Sequence, residues 1–312
     1  MVRAALATAG VSLVSFEGRV SGQAKPARMT LCLSPGAIGV TADQRETIRL
    51  AAKYGFTSVE PFPGFLAGLD DTTRDELLAD LRAKGLTWGA AGLPVDFRGD
   101  DARFEQGLAD LPRLAAGLRR CGVTRVGTWI SPGHNTLDYA ANFERHRQRL
   151  AKVAQILHEH RLRLGLEYVG TPSARARSAH PFIYNLNGLR SLISAIEPGP
   201  VGLVLDSWHW WTAGDTEASL LRLRNEDVVA VDLNDAPAGI PLEQQQDGQR
   251  ELPGATGVIP VRKFLGALRQ IGCDAPIRAE PFNRALNALE NDQACAATIA
   301  ALRKAMATVG PD

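Results

Sequence analysis

Short apolar runs alternate along this chain with longer stretches in which apolar residues recur at helical spacing. The short runs are rich in β-branched residues, and they predict strands at residues 29–34, 57–62, 87–92, 125–130, 163–168, 202–206, 228–234 and 276–282. The longer stretches predict amphipathic helices at residues 43–54, 72–84, 104–121, 137–160, 186–196, 217–225 and 261–271. This alternation is typical of parallel strands joined by crossover helices.

Eight predicted strands with crossover helices favour an α/β fold, and in particular a single (β/α)8 TIM barrel. A doubly wound open sheet is the alternative, but no G-x-G-x-x-G follows the first strand. With 312 residues, 45% of them hydrophobic, the chain is long enough for one barrel or two smaller domains. We expect one catalytic barrel domain over residues 26–312.

The first residues have a different composition from the barrel segment. Arg3 precedes a run of small apolar residues, and residues 21–24 could form a small-residue cleavage site. Two interpretations stay open for residues 1–25: an export leader that has lost its start, or a disordered tail. The run is shorter than the roughly 20 apolar residues of a spanning helix, so no membrane protein is expected. We expect a soluble protein, cytoplasmic by default and exported if residues 1–24 are a leader.

Net charge and cysteine spacing exclude several classes of protein. The formal net charge is +1, from 35 basic and 34 acidic residues, which gives no long-range field to hold nucleic acid. The cysteines form no C-x-x-C pair, so we expect ordinary buried thiols at Cys32, Cys121, Cys273 and Cys295.

Acidic residues stand at the ends of several predicted strands, where the active site of a barrel enzyme is built. They are Glu60, Glu167, Asp206, Asp232 and Glu280. The last four belong to consecutive strands, and unpaired carboxylates this close would repel one another unless a cation neutralised them. The pattern therefore predicts one divalent metal ion at Glu167, Asp206, Asp232 and Glu280. The alternative is that arginines pair with these acids.

The kinds of donor indicate which metal and which neighbours to expect. Carboxylate oxygens favour Mn, Mg or Co, and Zn stays open. His209 follows Asp206 by three residues and is expected to face the same cavity. Tryptophans near strand ends could line a binding cavity or only cap the barrel: Trp88, Trp129, Trp208, Trp210 and Trp211. The histidines of a charged helical stretch are expected to be solvated: His146, His158 and His160.

Four segments resemble a known family. Residues 206–209 resemble the D-x-x-H motif on strand six of the sugar epimerases of the xylose isomerase-like superfamily. Residues 231–237 are similar to their strand-seven V-H-x-x-D segment, residues 250–257 to their R-x-x-P-G-x-G loop, and residues 279–282 to their closing strand. The resemblance covers about residues 27–305, and the ordered combination is more specific than any single motif.

The resemblance implies a metal-dependent isomerase or epimerase of keto-sugars or aldoses. It implies metal ligands at Glu167, Asp206, the strand-seven position and Glu280, with His209 and Arg250 at the substrate. Glu167 and Glu280 would be the acid/base pair that moves a proton through a cis-enediolate. Strand seven usually supplies a histidine ligand, whereas this chain has Asp232 there. Glu60 and Trp129 are also expected to contact the substrate, a small sugar, and a homo-oligomer is compatible with the sequence.

Three other activities of barrel enzymes fit the sequence to different degrees. A Schiff-base aldolase needs a lysine at a strand end, but the lysines fall in predicted helices, joints or the tail: Lys25, Lys53, Lys84, Lys152, Lys263 and Lys304. An endonuclease IV-like phosphodiesterase would need several histidines at the site, and only His209 is well placed. A lyase or dehydratase acting on an inosose or keto-glycoside stays open, because it would use the same site.

Overall fold

The computed structural model describes Met1 and residues 29–310. The leader-like segment lies, apart from Met1, outside the described residues. The strands of the described part are β1 Thr30–Leu33, β2 Ser58–Val59, β3 Thr87–Trp88, β4 Ala91–Gly92, β5 Arg125–Trp129, β6 Gly133–His134, β7 Arg163–Glu167, β8 His180–Pro181, β9 Val201–Asp206, β10 Val228–Leu233 and β11 Pro276–Ala279. All eight predicted strands are confirmed, the third as the two short pieces β3 and β4.

Helices cover the intervals between the strands and the end of the described chain. They are α1 Gln44–Tyr54, α2 Pro63–Ala67, α3 Asp71–Ala83, α4 Asp101–Arg120, α5 Tyr139–Glu159, α6 Pro172–Arg175, α7 Leu186–Ala195, α8 Ser207–Thr212, α9 Glu217–Leu220, α10 Val261–Gln270, α11 Arg284–Asn287 and α12 Asn291–Ala307. Short 3-10 turns lie at Gly36–Ile38, Asn225–Asp227 and Leu242–Gln244. Aspartates at four helix starts each accept a hydrogen bond from the backbone N–H three residues on: Asp43, Asp70, Asp100 and Asp138.

The parallel strands form one sheet whose two ends belong to the same chain segment. The order is β3-β2-β1-β11-β10-β9-β7-β5-β4, and every pairing within it is parallel. Since β3 and β4 are separated only by Gly89 and Ala90, the sheet returns to its starting segment, as a barrel requires. The small pair β6 and β8 is antiparallel and lies outside this sheet.

One predicted helix was too long. The stretch predicted as a helix over residues 217–225 ends at Leu220. The backbone N–H of Arg224 donates to Asp227 Oδ2 at 2.9 Å, and this local bond starts a 3-10 turn that leads directly into β10.

Glycines on the inner face of the barrel make room for valines from neighbouring strands. A Cβ atom added to Gly165 would lie 2.7 Å from Val229 Cβ and 3.0 Å from Val204 Cγ2. Such close packing fills the barrel centre, so the open space is left at the ends of the strands. No described helix is long and apolar enough to cross a membrane.

Candidate active site

A cavity of about 610 Å³ opens at the carboxyl ends of the parallel strands. The residues expected at the substrate or as acid/base groups all line it: Glu60, Trp129, Glu167, His209, Arg250 and Glu280. Asp206 and Asp232 are paired across β9 and β10 and are buried beside it. One oxygen from each of Glu167, Asp206, Asp232 and Glu280 lies within 4.8 Å of the others. The strand-end carboxylates therefore meet as expected.

Arginines neutralise part of this cluster, which corrects the expectation that its carboxylates are unpaired. Arg250 Nη1 donates to Asp206 Oδ2 at 2.7 Å. Arg278 donates to both oxygens of Asp232, through Nε at 2.5 Å and through Nη2 at 2.9 Å. The same Nη2 lies 3.1 Å from Glu280 Oε1. Two positively charged side chains, Arg250 and Arg278, therefore lie among the four acids.

Arg250 is the buried anchor of the cluster, with only 1% of its side chain exposed. Besides Asp206, it donates to Asp247 Oδ1 at 2.8 Å and more weakly to Glu280 Oε2 at 3.4 Å. Burial alone would lower its pKa, but Asp206, Asp247 and Glu280 raise that pKa above the ordinary value. Arg250 lines the cavity, yet its bonds go mainly to carboxylates, so its main role in this structure is to hold them.

Glu167 is the member of the cluster with a free acceptor. Only 9% of its side chain is exposed, and Oε1 has no hydrogen-bond partner within residues 29–310. Burial raises the pKa of Glu167 well above its ordinary value, and the charges of Asp232, Asp206 and Glu280 raise it further. Burial likewise raises the pKa of Glu280 to about 7, although Arg278 opposes the shift. Glu280 can therefore exchange a proton near neutral pH, and Glu167 holds its proton more tightly than an ordinary glutamate.

His209 is buried between the acids and the backbone that follows β7. Its Nδ1 accepts from the Gly170 N–H at 3.2 Å, and its Nε2 lies 3.2 Å from Arg250 Nη2, which can also only donate. The same Nε2 lies 3.6 Å from Asp247 Oδ1 and 4.0 Å from Glu167 Oε1. Burial lowers the pKa of His209. Both ring nitrogens of His209 therefore face N–H donors, and the ring is held by Gly170 and Arg250 beside the carboxylates.

Asn234 is a site residue that sequence reasoning missed. Its Nδ2 donates to Asp206 Oδ1 at 3.1 Å, and its Oδ1 accepts from the Glu280 N–H at 2.8 Å. Asn234 directly follows β10 and is fully buried. It thereby fixes the position of acids that belong to two different strands. The alternation of inward positions, Asp232 and then Asn234, is the signal that could have identified it.

The glycine-rich loop after Arg250 has its backbone amides bonded to a carboxylate of the chain itself. The N–H groups of Thr256 and Gly257 donate to Asp235 Oδ2 at 3.0 and 2.7 Å. Ile259 N–H donates to the other oxygen of the same carboxylate at 2.9 Å. These amides are occupied within the protein, so they are not available to a phosphate.

Fewer tryptophans line the cavity than the sequence pattern allowed. Trp129 is 45% exposed and lines the cavity, with the Arg98 guanidinium 4.2 Å from its ring centroid. Trp208 and Trp210 are buried, and Trp88 donates to the Cys121 carbonyl at 2.8 Å. Among the five tryptophans, Trp129 is the one that the cavity wall includes.

His146 also differs from expectation, because it is buried, whereas His158 is exposed as predicted. The His146 ring packs against Phe182 and Phe97, with centroid distances of 4.8 and 5.7 Å. His146 lies on the inner face of α5 even though the sequence around it is charged. The four cysteines are free and buried, as expected.

The fit of a divalent ion depends on the charge that the arginines leave over. The four carboxylates and Asp247, which shares Arg250, bring five negative charges and Arg250 and Arg278 bring two positive ones, which leaves three negative charges. One divalent ion with one proton, or protons alone, would neutralise that remainder. Glu167 Oε1, which has no partner among the described residues, fits such an ion. Asp206 and Glu280 meet guanidinium groups through single nitrogens, whereas both oxygens of Asp232 are bonded by one guanidinium.

The chain matches a known family over most of its length. The family model described as xylose isomerase-like TIM barrel matches residues 48–305. The chain therefore belongs to the xylose isomerase-like TIM barrel family, in agreement with the strand order and with the position of the cavity.

Three individual proteins similar to this chain share between 18% and 29% sequence identity with it. An inosose isomerase of Bacillus velezensis is 21% identical over 259 residues, covering 81% of this chain and 89% of the relative. A xylose isomerase domain protein from Alicyclobacillus acidocaldarius superimposes with a TM-score of 0.78 at 29% identity, covering 91% of this chain and all of that structure (100%). The IolI protein with a bound zinc atom has a TM-score of 0.75 at 18% identity, again over 91% of this chain and 100% of its own.

Proposed function

We propose that this chain is a sugar isomerase or epimerase that moves a proton between neighbouring carbons through a cis-enediolate. The observation that supports this most is the pair Glu167 and Glu280, which face one cavity with raised pKa values. A carboxyl group whose pKa lies near the working pH can both accept and return a proton. In this proposal one glutamate removes the proton beside the carbonyl and the other returns it.

The neighbouring residues prepare the two glutamates for this exchange. Asn234 and Arg250 hold Glu280, through its backbone N–H and its carboxylate respectively. His209 lies beside the pair, with its Nε2 3.2 Å from Arg250 Nη2 and 4.0 Å from Glu167 Oε1. Trp129 offers an apolar face at the cavity wall, suited to the C–H side of a sugar. Glu60, which accepts from Ser34 Oγ, would contact a substrate hydroxyl.

We further propose that the site holds one divalent ion through Glu167, Asp206 and Glu280, with Asp232 nearby. Such an ion would polarise the substrate carbonyl and acidify the adjacent C–H. The donor set is dominated by oxygen, which suits Mn, Mg or Co, while the zinc in the IolI structure keeps Zn among the candidates.

The substrate class follows from the cavity and the relatives. The described cavity wall includes arginines but no lysine, and the loop amides suited to phosphate are occupied by Asp235. We therefore propose an uncharged keto-sugar, aldose or inosose. The name of the similar protein of Bacillus velezensis, inosose isomerase, agrees with this class.

Deuterated water tests the reaction type. A panel of keto-sugars, aldoses and inososes is incubated with the enzyme and divalent metal, and products are analysed by mass spectrometry and NMR. Proton transfer through the glutamates places deuterium on the carbon beside the carbonyl, and Glu167→Gln or Glu280→Gln abolishes turnover. An unlabelled product would indicate a hydride shift and contradict the acid/base roles. Loss of water or of a fragment would instead indicate the lyase or dehydratase.

A further inference from the structure

Arg278 occupies an unusual place for a cation in a site with a divalent ion. It lies on β11 two residues before Glu280, so both side chains are on the inner face of the barrel, and it is paired in register with Asp232 of β10. Its fork covers both oxygens of Asp232, and Nη2 reaches Glu280 Oε1 at 3.1 Å. The guanidinium therefore stands between two of the four carboxylates that form the cluster.

A divalent ion that bound both Asp232 and Glu280 would have to occupy the position of the Arg278 guanidinium. An ion bound to Asp232 would displace the guanidinium or stand directly beside its positive charge, and both are unfavourable. The contact also has little freedom, since a planar guanidinium bonded through two nitrogens holds a carboxylate in one geometry. Arg278 and a divalent ion thus exclude each other at Asp232.

We propose that Arg278 is a built-in cation that takes the place of part of the metal site: it removes Asp232 from the ligand set and competes with a divalent ion for Glu280. This inference about Arg278 rests on the proposed function only because it concerns the same site. Among the described residues Glu167 Oε1 has no partner, and Asp206 Oδ2 meets a single nitrogen of Arg250 rather than a two-nitrogen fork, so binding in the natural chain is weak and involves Glu167, Asp206 and Glu280. Removing the guanidinium frees a fourth ligand.

Manganese titration by isothermal calorimetry tests this without any substrate. The full chain is freed of metal by chelation, and the affinity for Mn²⁺ is measured for the natural protein and for Arg278→Met. We expect Arg278→Met to bind Mn²⁺ about tenfold more tightly or better, because changes beside a metal site alter affinity on this scale. In the double variant Arg278→Met/Asp232→Asn the gain should disappear, since Asp232 is the ligand that was freed.

Arg125→Met is the matched control, because Arg125 also pairs with an aspartate, Asp274 at 2.8 Å, but is absent from the cavity wall. The Arg125→Met variant should bind Mn²⁺ with the same affinity as the natural protein. If Arg278→Met does not fold, Arg278→Lys replaces it: a lysine cannot cover both oxygens of Asp232, so a gain of about threefold is expected.

Two results would overturn the proposal. One is an unchanged affinity in Arg278→Met, or in Arg278→Lys where that variant replaces it. The other is a gain that persists in the double variant. Neither depends on turnover, so a failure here is distinct from a failure to find an isomerase substrate.

Discussion

At the scale of single residues, burial separates histidines that look alike in the sequence. His146 is 5% exposed, its Nδ1 bonds the Asn142 carbonyl at 2.8 Å, and its Nε2 has no partner. Burial lowers its pKa from 6.5 to about 4. The folded state therefore binds a proton at His146 less readily than the unfolded state does. The stability that the neutral, buried ring contributes is lost as pH falls from 6.5 toward 4.

We predict that His146→Phe reduces the loss of stability in acid. The phenylalanine keeps the packing against Phe97 and Phe182 but has no proton to accept. Between pH 7 and pH 5, the natural protein should lose about 2 kcal/mol more unfolding free energy than the variant. Urea unfolding at the two pH values measures this. The exposed His158→Gln is the control and should keep the natural pH dependence; equal slopes for all three proteins would refute the prediction.

Asn234 provides a second prediction at this scale. Asn234→Ala removes the bonds to Asp206 and to the Glu280 N–H, and leaves buried polar groups without partners. We expect a loss of about 1–3 kcal/mol in unfolding free energy and a fall of about 10- to 100-fold in metal affinity or turnover. Calorimetry with Mn²⁺ and urea unfolding measure both. Asn135→Ala, which removes a 3.3 Å bond to the Ala179 N–H at the surface, should change neither.

The sequence predicts the acids of the site better than it predicts the residues that pair with them. Glu167, Asp206, Asp232 and Glu280 were predictable because each ends an apolar run, and strand ends meet at one mouth. The pairing with Arg278 was not, since a basic residue inside a strand looks like a solvated position. Only the period of two along β11, which places Arg278 on the same face as Glu280, could have revealed it.

At the scale of elements, β7 shows how glycine sets the shape of the barrel interior. Gly165 lies directly between Val229 and Val204, with no room for a methyl group. Replacing it would push the neighbouring strands apart or force the valines out of their preferred rotamers. The strand that ends at Glu167 would then move relative to its neighbours.

We therefore predict that Gly165→Ala lowers the unfolding free energy by about 1–3 kcal/mol through overpacking. Gly92→Ala is the matched control, because Gly92 also lies in a barrel strand but a Cβ there meets nothing within 4 Å. That control should be neutral or stabilising by up to about 1 kcal/mol. Thermal and urea unfolding compare the two. A Gly165→Ala protein as stable as Gly92→Ala would show that the barrel centre is looser than described.

The sequence predicted strands better than helices, for a physical reason. Buried parallel strands are short apolar runs with sharp ends, and all eight were found. Helix limits depend on local hydrogen bonds, so the bond between Arg224 and Asp227 stopped α9 at Leu220 without changing the apolar pattern. Helix α12 is rich in alanine, which weakens its periodicity, and it was not among the predicted helices.

At the scale of the whole molecule, the candidate ion connects distant parts of the chain. Glu167 ends β7, Asp206 ends β9 and Glu280 follows β11, so one ligand set draws on three strands of the barrel. Without an ion, the remaining negative charge must be neutralised by protons, which is consistent with the raised pKa values of Glu167 and Glu280. Ion binding is therefore coupled to the stability of the barrel as a unit.

The last prediction is that Mn²⁺ raises the melting temperature of the metal-free protein in a concentration-dependent way. An ion that binds only the folded state stabilises it by about 2.7 kcal/mol at 100 times its dissociation constant. The shift should be reversed by chelator and lost in Asp206→Asn. Glu60→Gln is the control: Glu60 lines the same cavity but is outside the ligand cluster, so this variant should keep the full shift. Differential scanning calorimetry at several Mn²⁺ concentrations, above neutral pH where protons compete least, measures the effect. An unchanged melting temperature at millimolar Mn²⁺ would mean that protons and the two arginines already neutralise the acids, while an equal loss in Glu60→Gln would place the ion nearer to β2 than the cluster does.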